Sequence, residues 1–206
     1  RMKSMLKDAA ILFLITVISG AILGFVYDAT KAPIARQEAA AKSKAYQEVF
    51  ADAVSFEAVE ASEEEMTAAV AAGGFAKSSV NEVMKALDAS GSLLGYVITV
   101  TSHEGYGGDI SFSMGIRNDG TLNGISILSI SETAGLGMRA DEVLKPQFAD
   151  KKVAQFTYTK TGAVSDDQID AISIATITTS AVTNAVNAGL YYFQTALQAE
   201  GGSGNE

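Results

Sequence analysis

An uninterrupted apolar stretch near the start of the chain constrains its structure more than any other feature. Residues 9–27, AAILFLITVISGAILGFVY, contain no charged side chain, and Asp8 and Asp28 close the run. As a helix this stretch would extend roughly 28 Å at about 1.5 Å per residue, close to the hydrocarbon thickness of a membrane. A buried core helix would show a polar face, and a cleavable signal has a shorter apolar core. The sequence therefore predicts one uncleaved transmembrane helix over residues 9–27.

The basic residues on either side of this stretch predict its orientation. Arg1, Lys3 and Lys7 precede it, whereas only Lys31 and Arg36 follow closely. Because basic residues are enriched on the cytoplasmic side of a membrane, residues 1–8 are expected in the cytoplasm. The protein is then a single-pass protein of the cell membrane, and its soluble domain is extracytoplasmic.

Composition excludes several classes of site. The net charge of −9 argues against binding to nucleic acid, which requires clustered Lys and Arg. The chain has no cysteine, which excludes thiolate metal sites, thiol catalysis and disulfides. Its single histidine, His103, is interpreted as a solvated loop residue. We therefore predict neither a metal site nor catalytic residues.

The soluble part divides into a helical region and a domain. Residues 28–85 are predicted to form a juxtamembrane helical region, in which residues 57–82 are helical or loosely ordered. The domain is placed at residues 86–199, and residues 200–206 are expected to be a flexible tail. Gly73 and Gly74 mark a turn near the end of the helical region.

Three β-branched and aromatic runs, at residues 93–102, 109–117 and 122–130, predict consecutive antiparallel strands. Asn118-Asp119-Gly120 is typical of a hairpin between the last two, and residues 155–160 are interpreted as a further strand. A final helix is indicated by an apolar stripe with helical spacing at Val182, Val186, Leu190, Phe193 and Leu197. The predicted fold class is α+β, in which helices pack on a twisted antiparallel sheet.

Hydroxyl side chains gather where this last helix begins, in the segment 170–180, DAISIATITTS. The free N–H groups of a helix start favour a phosphate, so the segment is a candidate anion site. The alternative is that Asp170, Ser173 or Thr176 only caps the helix.

The same segment resembles the motif at which FMN is attached covalently: Asp, two residues, Ser or Thr, Gly, Ala, Thr. Asp170, Ser173, Ala175 and Thr176 match this motif in register, while Ile174 stands in place of its glycine. If that position requires a positive φ, a β-branched side chain there is strained.

Further landmarks occur in the same order as in a known family. The stretch YDATKAPIA (27–35), the segment GYGGDISFSMGI (105–116) and the loop SETAGLG (131–137) resemble its membrane entry, its domain core and its ETPGLG loop. In this loop Ala134 replaces the usual proline. The chain thus resembles the G subunit of the Rnf complex, a membrane-bound ferredoxin:NAD oxidoreductase. The counterpart of that subunit is the C subunit of the sodium-pumping NADH:quinone oxidoreductase.

The resemblance implies a cofactor and the residues that hold it. FMN would be joined by a phosphoester to Thr176 through the action of a flavin transferase. Nearby hydroxyls at 178–180 are rivals, and only the register of the motif selects Thr176. The residues implied to lie near the flavin are Ser173, Ala175, Glu132, Thr133, Gly135, Leu136 and Gly137. Tyr106, Gly107 and Gly108 are interpreted first as a turn and second as neighbours of the flavin.

The function implied is electron transfer within a membrane complex that moves Na⁺ or H⁺. The partners would be other membrane subunits, and Gly20 and Gly24 form a GxxxG pair that permits close approach of another membrane helix. Two alternatives remain open: the equivalent subunit of a sodium-pumping quinone reductase, and a non-redox surface or assembly module with a vestigial flavin site.

Overall fold

The computed structural model describes residues 2–198, with side-chain surroundings from Met5 onward; the tail at 200–206 lies outside the described residues. Contacts divide the chain into two units, with the boundary after Ala41. Helix α1, Met2–Val49, begins in the first unit and ends in the second. Within the described residues, one stretch of this helix is long and apolar enough to cross a membrane, and its apolar side chains are exposed.

The second unit is built on a five-stranded antiparallel sheet whose strands neighbour one another in chain order. Its elements are β1 Ser55–Ala58, α2 Glu63–Ala72, β2 Ser78–Leu87, β3 Leu93–Ser102, β4 Ile110–Arg117 and β5 Leu122–Ser129. The predicted meander of three strands at residues 93–130 is therefore confirmed, as is the α+β fold class. In the turn between β4 and β5, the Arg117 N–H donates a hydrogen bond to the Thr121 carbonyl, and Gly120 has φ +86°.

The remaining elements follow the sheet and lead to the last helix. They are α3 Ala140–Val143 between two short 3-10 turns, β6 Thr157–Thr159, β7 Gln168–Asp170, α4 Thr176–Tyr192 and a π-helical turn, Phe193–Leu197. The strand predicted at 155–160 is present, but it pairs in parallel with β7 instead of joining the meander.

The two faces of the sheet carry separate apolar cores. Helices α2 and α4 cover one face, where every residue of the predicted apolar stripe on the last helix is buried. The opposite face is covered by residues 45–53, which include the end of α1. A Cβ at Gly95 would come within 2.8 Å of Phe50 Cζ, and one at Gly115 within 2.7 Å of the Val49 oxygen. These glycines let Phe50 and Val49 lie directly on β3 and β4.

The interpretation of residues 57–82 as helical or loosely ordered is right for α2 and wrong at both ends. β1 occupies residues 55–58 and β2 begins at Ser78, so the sheet starts well before residue 86. A register shift between Val80 and Glu82 explains the error in β2. It places the buried residues Val80 and Val83 three positions apart, a spacing that in sequence favours a helix.

A half-exposed ion pair fastens the end of α1 to β2. Lys42 Nζ lies 2.6 Å from Glu82 Oε2, and the Tyr46 hydroxyl donates to the same oxygen at 2.8 Å. Burial alone would raise the pKa of Glu82, but the hydrogen bonds from Lys42 and Tyr46 hold it below its ordinary value. A carboxylate with a lowered pKa stabilises the fold above its unfolded pKa, and this stabilisation is lost as the pH falls through the folded pKa.

Replacing Lys42 with alanine is expected to lower the free energy of unfolding at pH 7 by about 0.5 kcal/mol, because the pair is partly screened by solvent. The deficit should shrink as the pH falls through the lowered pKa of folded Glu82, because the protonated carboxyl no longer pairs with Lys42. Urea unfolding of the detergent-solubilised chain at pH 7 and at about pH 3 measures this. Lys44→Ala, at an exposed lysine of the same helix, is the control. Equal deficits at pH 7 and at about pH 3 would contradict the prediction.

Candidate functional site

A tight turn precedes α4 and sets the backbone conformation of Ile174. The Ala175 N–H donates to the Ile172 carbonyl at 3.0 Å, which closes a four-residue turn. Ile174 is the third residue of that turn and has φ +67°. Left-handed backbone at this turn position favours glycine, and a non-glycine residue there costs about 1–2 kcal/mol. The position therefore requires the positive φ that the glycine of the flavin motif would supply.

The start of α4 is held by a buried hydroxyl inside the helix. Its N-cap is Ala175, which contributes no side-chain cap. Instead, Thr179 Oγ1 donates to the Ala175 carbonyl at 3.0 Å and accepts from the Ile172 N–H at 3.1 Å. The Asp170 carboxylate accepts from the Ala163 N–H at 2.7 Å. The alternative in which Asp170, Ser173 or Thr176 caps the helix is therefore wrong.

A cavity of about 460 Å³ opens beside the first turn of α4. Three segments meet there: the loop that contains Tyr106, the loop 132–137 and the start of α4. The residues lining the cavity are Tyr106, Glu132, Thr133, Leu136, Gly137, Ile174, Ala175, Thr176, Ile177 and Thr178. Its volume lies within the range of about 300–1,000 Å³ that is typical of small-molecule sites.

The Glu132 carboxylate joins the three walls of this cavity. Oε1 accepts a hydrogen bond from the Gly107 N–H at 3.2 Å, and Oε2 accepts one from the Thr178 hydroxyl at 3.1 Å. The loop approaches α4 so closely that a Cβ at Gly137 would lie 2.5 Å from Thr178 Oγ1. Glycine at 137 is therefore required for the contact between loop and helix.

The hydroxyl groups at the start of α4 differ sharply in their availability. Thr178 and Thr179 are 1% and 0% exposed, and both hydroxyls are hydrogen-bonded within the domain. Thr176 is half-buried and lines the cavity. Within residues 5–198, no side-chain hydrogen bond engages the Thr176 hydroxyl, so it is available to a ligand. Ser173 is exposed and does not line the cavity.

The residues of the cavity fit FMN. The first turn of α4 presents N–H groups without helical partners, which suit a phosphate beside Thr176. Leu136, Ile174, Ile177 and Tyr106 supply apolar surface for a flat ring. Among the lining residues Glu132 alone carries a carboxylate, and both its oxygens already accept hydrogen bonds from the protein.

Most of the residues that sequence analysis implies for the flavin site come together here. Those that line the cavity are Glu132, Thr133, Leu136, Gly137, Ala175 and Thr176, whereas Ser173 and Gly135 lie outside its lining. Gly135 has φ +76° in a turn closed by the Leu136 N–H and the Thr133 carbonyl at 3.1 Å.

Sequence analysis misses one cavity residue and gives three others different roles. Ile177 has no role in it, although a large apolar residue outside the buried stripe of α4 is a signal for an exposed contact. Thr178 enters only as a rival anchor, Tyr106 first as a turn residue, and Ile174 only as the residue in place of the motif's glycine. All four line the cavity.

Comparison with known proteins defines the class of this domain. The FMN-binding domain family model matches residues 105–191, and the RnfG N-terminal region model matches residues 2–49. The fold resembles that of Shewanella oneidensis NqrC, with a TM-score of 0.50 and 24% identity over 61% of this chain and 62% of that one. The domain with its cavity is thus an FMN-binding domain.

Two relatives extend the likeness over nearly the whole chain. The chain is 30% identical over 194 residues, 93% of both sequences, to the G subunit of the Na⁺-translocating ferredoxin:NAD⁺ oxidoreductase complex of Acetobacterium woodii. It is 31% identical to the G subunit of an ion-translocating oxidoreductase complex of Methanosarcina acetivorans, over 92% of this chain and 95% of that one. The chain belongs to the family of G subunits of Rnf-type ion-translocating oxidoreductase complexes.

Proposed function

We propose that the chain is the FMN-carrying electron-transfer subunit of an Rnf-type complex, in which electron flow between ferredoxin and NAD drives movement of Na⁺ or H⁺. Similarity to G subunits of such complexes over 93% and 92% of this chain supports this role. A bound flavin would supply the redox chemistry, while the protein binds it, orients it and limits its exposure to water.

FMN is attached covalently to Thr176 in this proposal. The observation that carries the assignment is that Thr176 offers an unengaged hydroxyl to the cavity, while Thr178 and Thr179 are buried and hydrogen-bonded. In this step Thr176 Oγ1 would lose its proton and bond to the phosphorus of the FMN moiety of a flavin dinucleotide donor, whose pyrophosphate bond breaks and releases AMP; a flavin transferase is the proposed catalyst. The resulting phosphodiester keeps one negative charge, which the N-terminus of α4 stabilises.

Covalent attachment suits a domain outside the cytoplasm, where a lost cofactor could not be recovered. The proposed orientation places residues 1–8 in the cytoplasm, the membrane span at 9–27 and the FMN-binding domain on the extracytoplasmic side. Gly20 and Gly24 have open space beside them in the first unit, which supports close approach by a membrane helix of a partner subunit.

Protease added to intact cells is expected to digest the FMN-binding domain, because the basic bias at Arg1, Lys3 and Lys7 directs the N-terminus inward. Immunoblotting of the domain before and after proteolysis measures this, and a cytoplasmic protein serves as the control for intact cells. Protection in intact cells combined with digestion in inverted vesicles would reverse the proposed orientation.

Extraction at alkaline pH tests the membrane anchor separately. It should leave the chain in the membrane fraction.

Copurification distinguishes the proposed complex from its alternatives. An Rnf-type subunit should copurify with an iron–sulfur subunit that oxidises ferredoxin, whereas a subunit of a quinone reductase should not. The match of residues 2–49 to the RnfG N-terminal region favours the first outcome. A chain that copurifies with subunits of neither complex and carries no flavin would instead be the non-redox module.

A further inference from the structure

The strained residue at the mouth of the cavity, Ile174, points to a direct contact with the ligand. Two non-glycine residues have positive φ within the described part of the chain, Asp150 at +55° and Ile174 at +67°. Aspartate tolerates this conformation, but a β-branched side chain does not. Backbone strain of this kind is concentrated at functional sites, where a favourable interaction with a ligand can compensate for it.

Packing within the chain does not compensate for the strain. The Ile174 side chain is 85% exposed, so folding of the domain buries little of it. Two other large residues that line the same cavity, Tyr106 and Ile177, are 72% and 53% exposed. Large apolar side chains are therefore grouped around one cavity with little cover from the protein.

We infer that Ile174 is a flavin-retaining contact, whose side chain packs on the apolar part of the FMN that occupies this cavity. This inference rests on the proposed function, because it requires FMN at this site. The isoalloxazine ring system has flat apolar faces, and burying isoleucine against such a surface favours binding. Thr176 then fixes one end of the cofactor, while Ile174 helps to hold it before and after the ester forms.

The contact predicts effects of opposite sign on stability and on binding. Ile174→Gly removes the strained side chain and should raise the thermal unfolding temperature of the flavin-free protein. The same substitution should weaken FMN binding by about tenfold, since it removes the apolar contact. Ile174→Asn, which tolerates a positive φ but offers no apolar surface, should weaken binding to a similar extent.

The test uses the detergent-solubilised full chain with Thr176→Ala in every variant, prepared without a flavin transferase, so that binding is reversible. Titration with FMN, followed by flavin fluorescence, gives the affinity, and thermal unfolding without flavin gives the stability. Riboflavin lacks the phosphate, and its affinity should fall by the same factor in the Ile174→Gly variant. Asp150→Gly is the matched control, because Asp150 is exposed, has a positive φ and does not line the cavity. It should leave the FMN affinity unchanged.

Two results would overturn the inference. One is an Ile174→Gly variant that is stabilised but binds FMN as tightly as its parent, which would make Ile174 a strained residue without a ligand contact. The other is an absence of measurable FMN binding in the Thr176→Ala parent. Covalent flavin is measured separately, on the chain with Thr176 intact and made with its flavin transferase. That measurement tests the proposed function, so its failure is distinguishable from failure of the Ile174 contact.

Discussion

Thr176→Val is expected to abolish covalent flavin completely, because the phosphoester needs a hydroxyl oxygen and valine keeps the shape of threonine without one. The protein should be made together with its flavin transferase, denatured and separated on a gel, where only covalent flavin remains fluorescent. Since Thr176 lies at the first turn of α4 with a half-buried side chain, the substitution should leave the fold intact. Thr176→Ser retains a hydroxyl at the same position and should keep part of the signal.

Thr178→Val is the matched control for the hydroxyl deletion. Thr178 lies two residues further along the same helix and also lines the cavity, but its hydroxyl is buried and donates to Glu132. Covalent flavin should persist in this variant, with at most a partial decrease from the lost hydrogen bond. Flavin that survives Thr176→Val and disappears in Thr178→Val would show that Thr178 is the anchor.

Glu132→Ala is expected to lower the free energy of unfolding by about 2 kcal/mol and to reduce the covalent flavin severalfold. The substitution leaves the buried Thr178 hydroxyl and the Gly107 N–H without their acceptor. It also breaks the link among the three segments that form the cavity. Urea unfolding and in-gel flavin fluorescence measure the two effects in one preparation.

Glu142→Ala provides the control for loss of a carboxylate near this loop. Glu142 is exposed and pairs with Arg139 at 3.5 Å, so its removal should change stability by less than about 0.5 kcal/mol. Glu132→Gln should be intermediate, because the amide retains one acceptor oxygen. If Glu132→Ala unfolds like the wild type, the carboxylate does not hold the cavity together.

The fold is predictable where the side-chain pattern is regular. β3, β4 and β5 follow from β-branched runs separated by glycine-containing breaks, and α4 follows from an apolar stripe that is buried as expected. β2 escapes prediction because its bulge between Val80 and Glu82 interrupts the alternation on which strand prediction depends. β1 is a four-residue strand, Ser55–Ala58, too short to show a pattern.

The site is predictable only in part, for a related reason. The resemblance brings Thr176 and the loop 132–137 into consideration, and both lie at one cavity. The carboxylate of Glu132 joins residues 25 and 46 positions away in sequence, contacts that no local pattern could reveal. The motif raises the possibility of a strained φ at Ile174, but nothing in the sequence indicates that its side chain is exposed.

The mass of the peptide that carries the flavin tests the central claim most directly. Lys160 is the last basic residue, so trypsin leaves Thr176, Thr178, Thr179 and Ser180 together in the peptide that begins at Thr161. For protein made with its flavin transferase, we predict a mass increase equal to one FMN less one water. Fragmentation should place the increase on Thr176, between Ala175 and Ile177. An unmodified peptide, or an increase carried by Thr178, Thr179 or Ser180, would contradict the assignment of Thr176 as the flavin anchor.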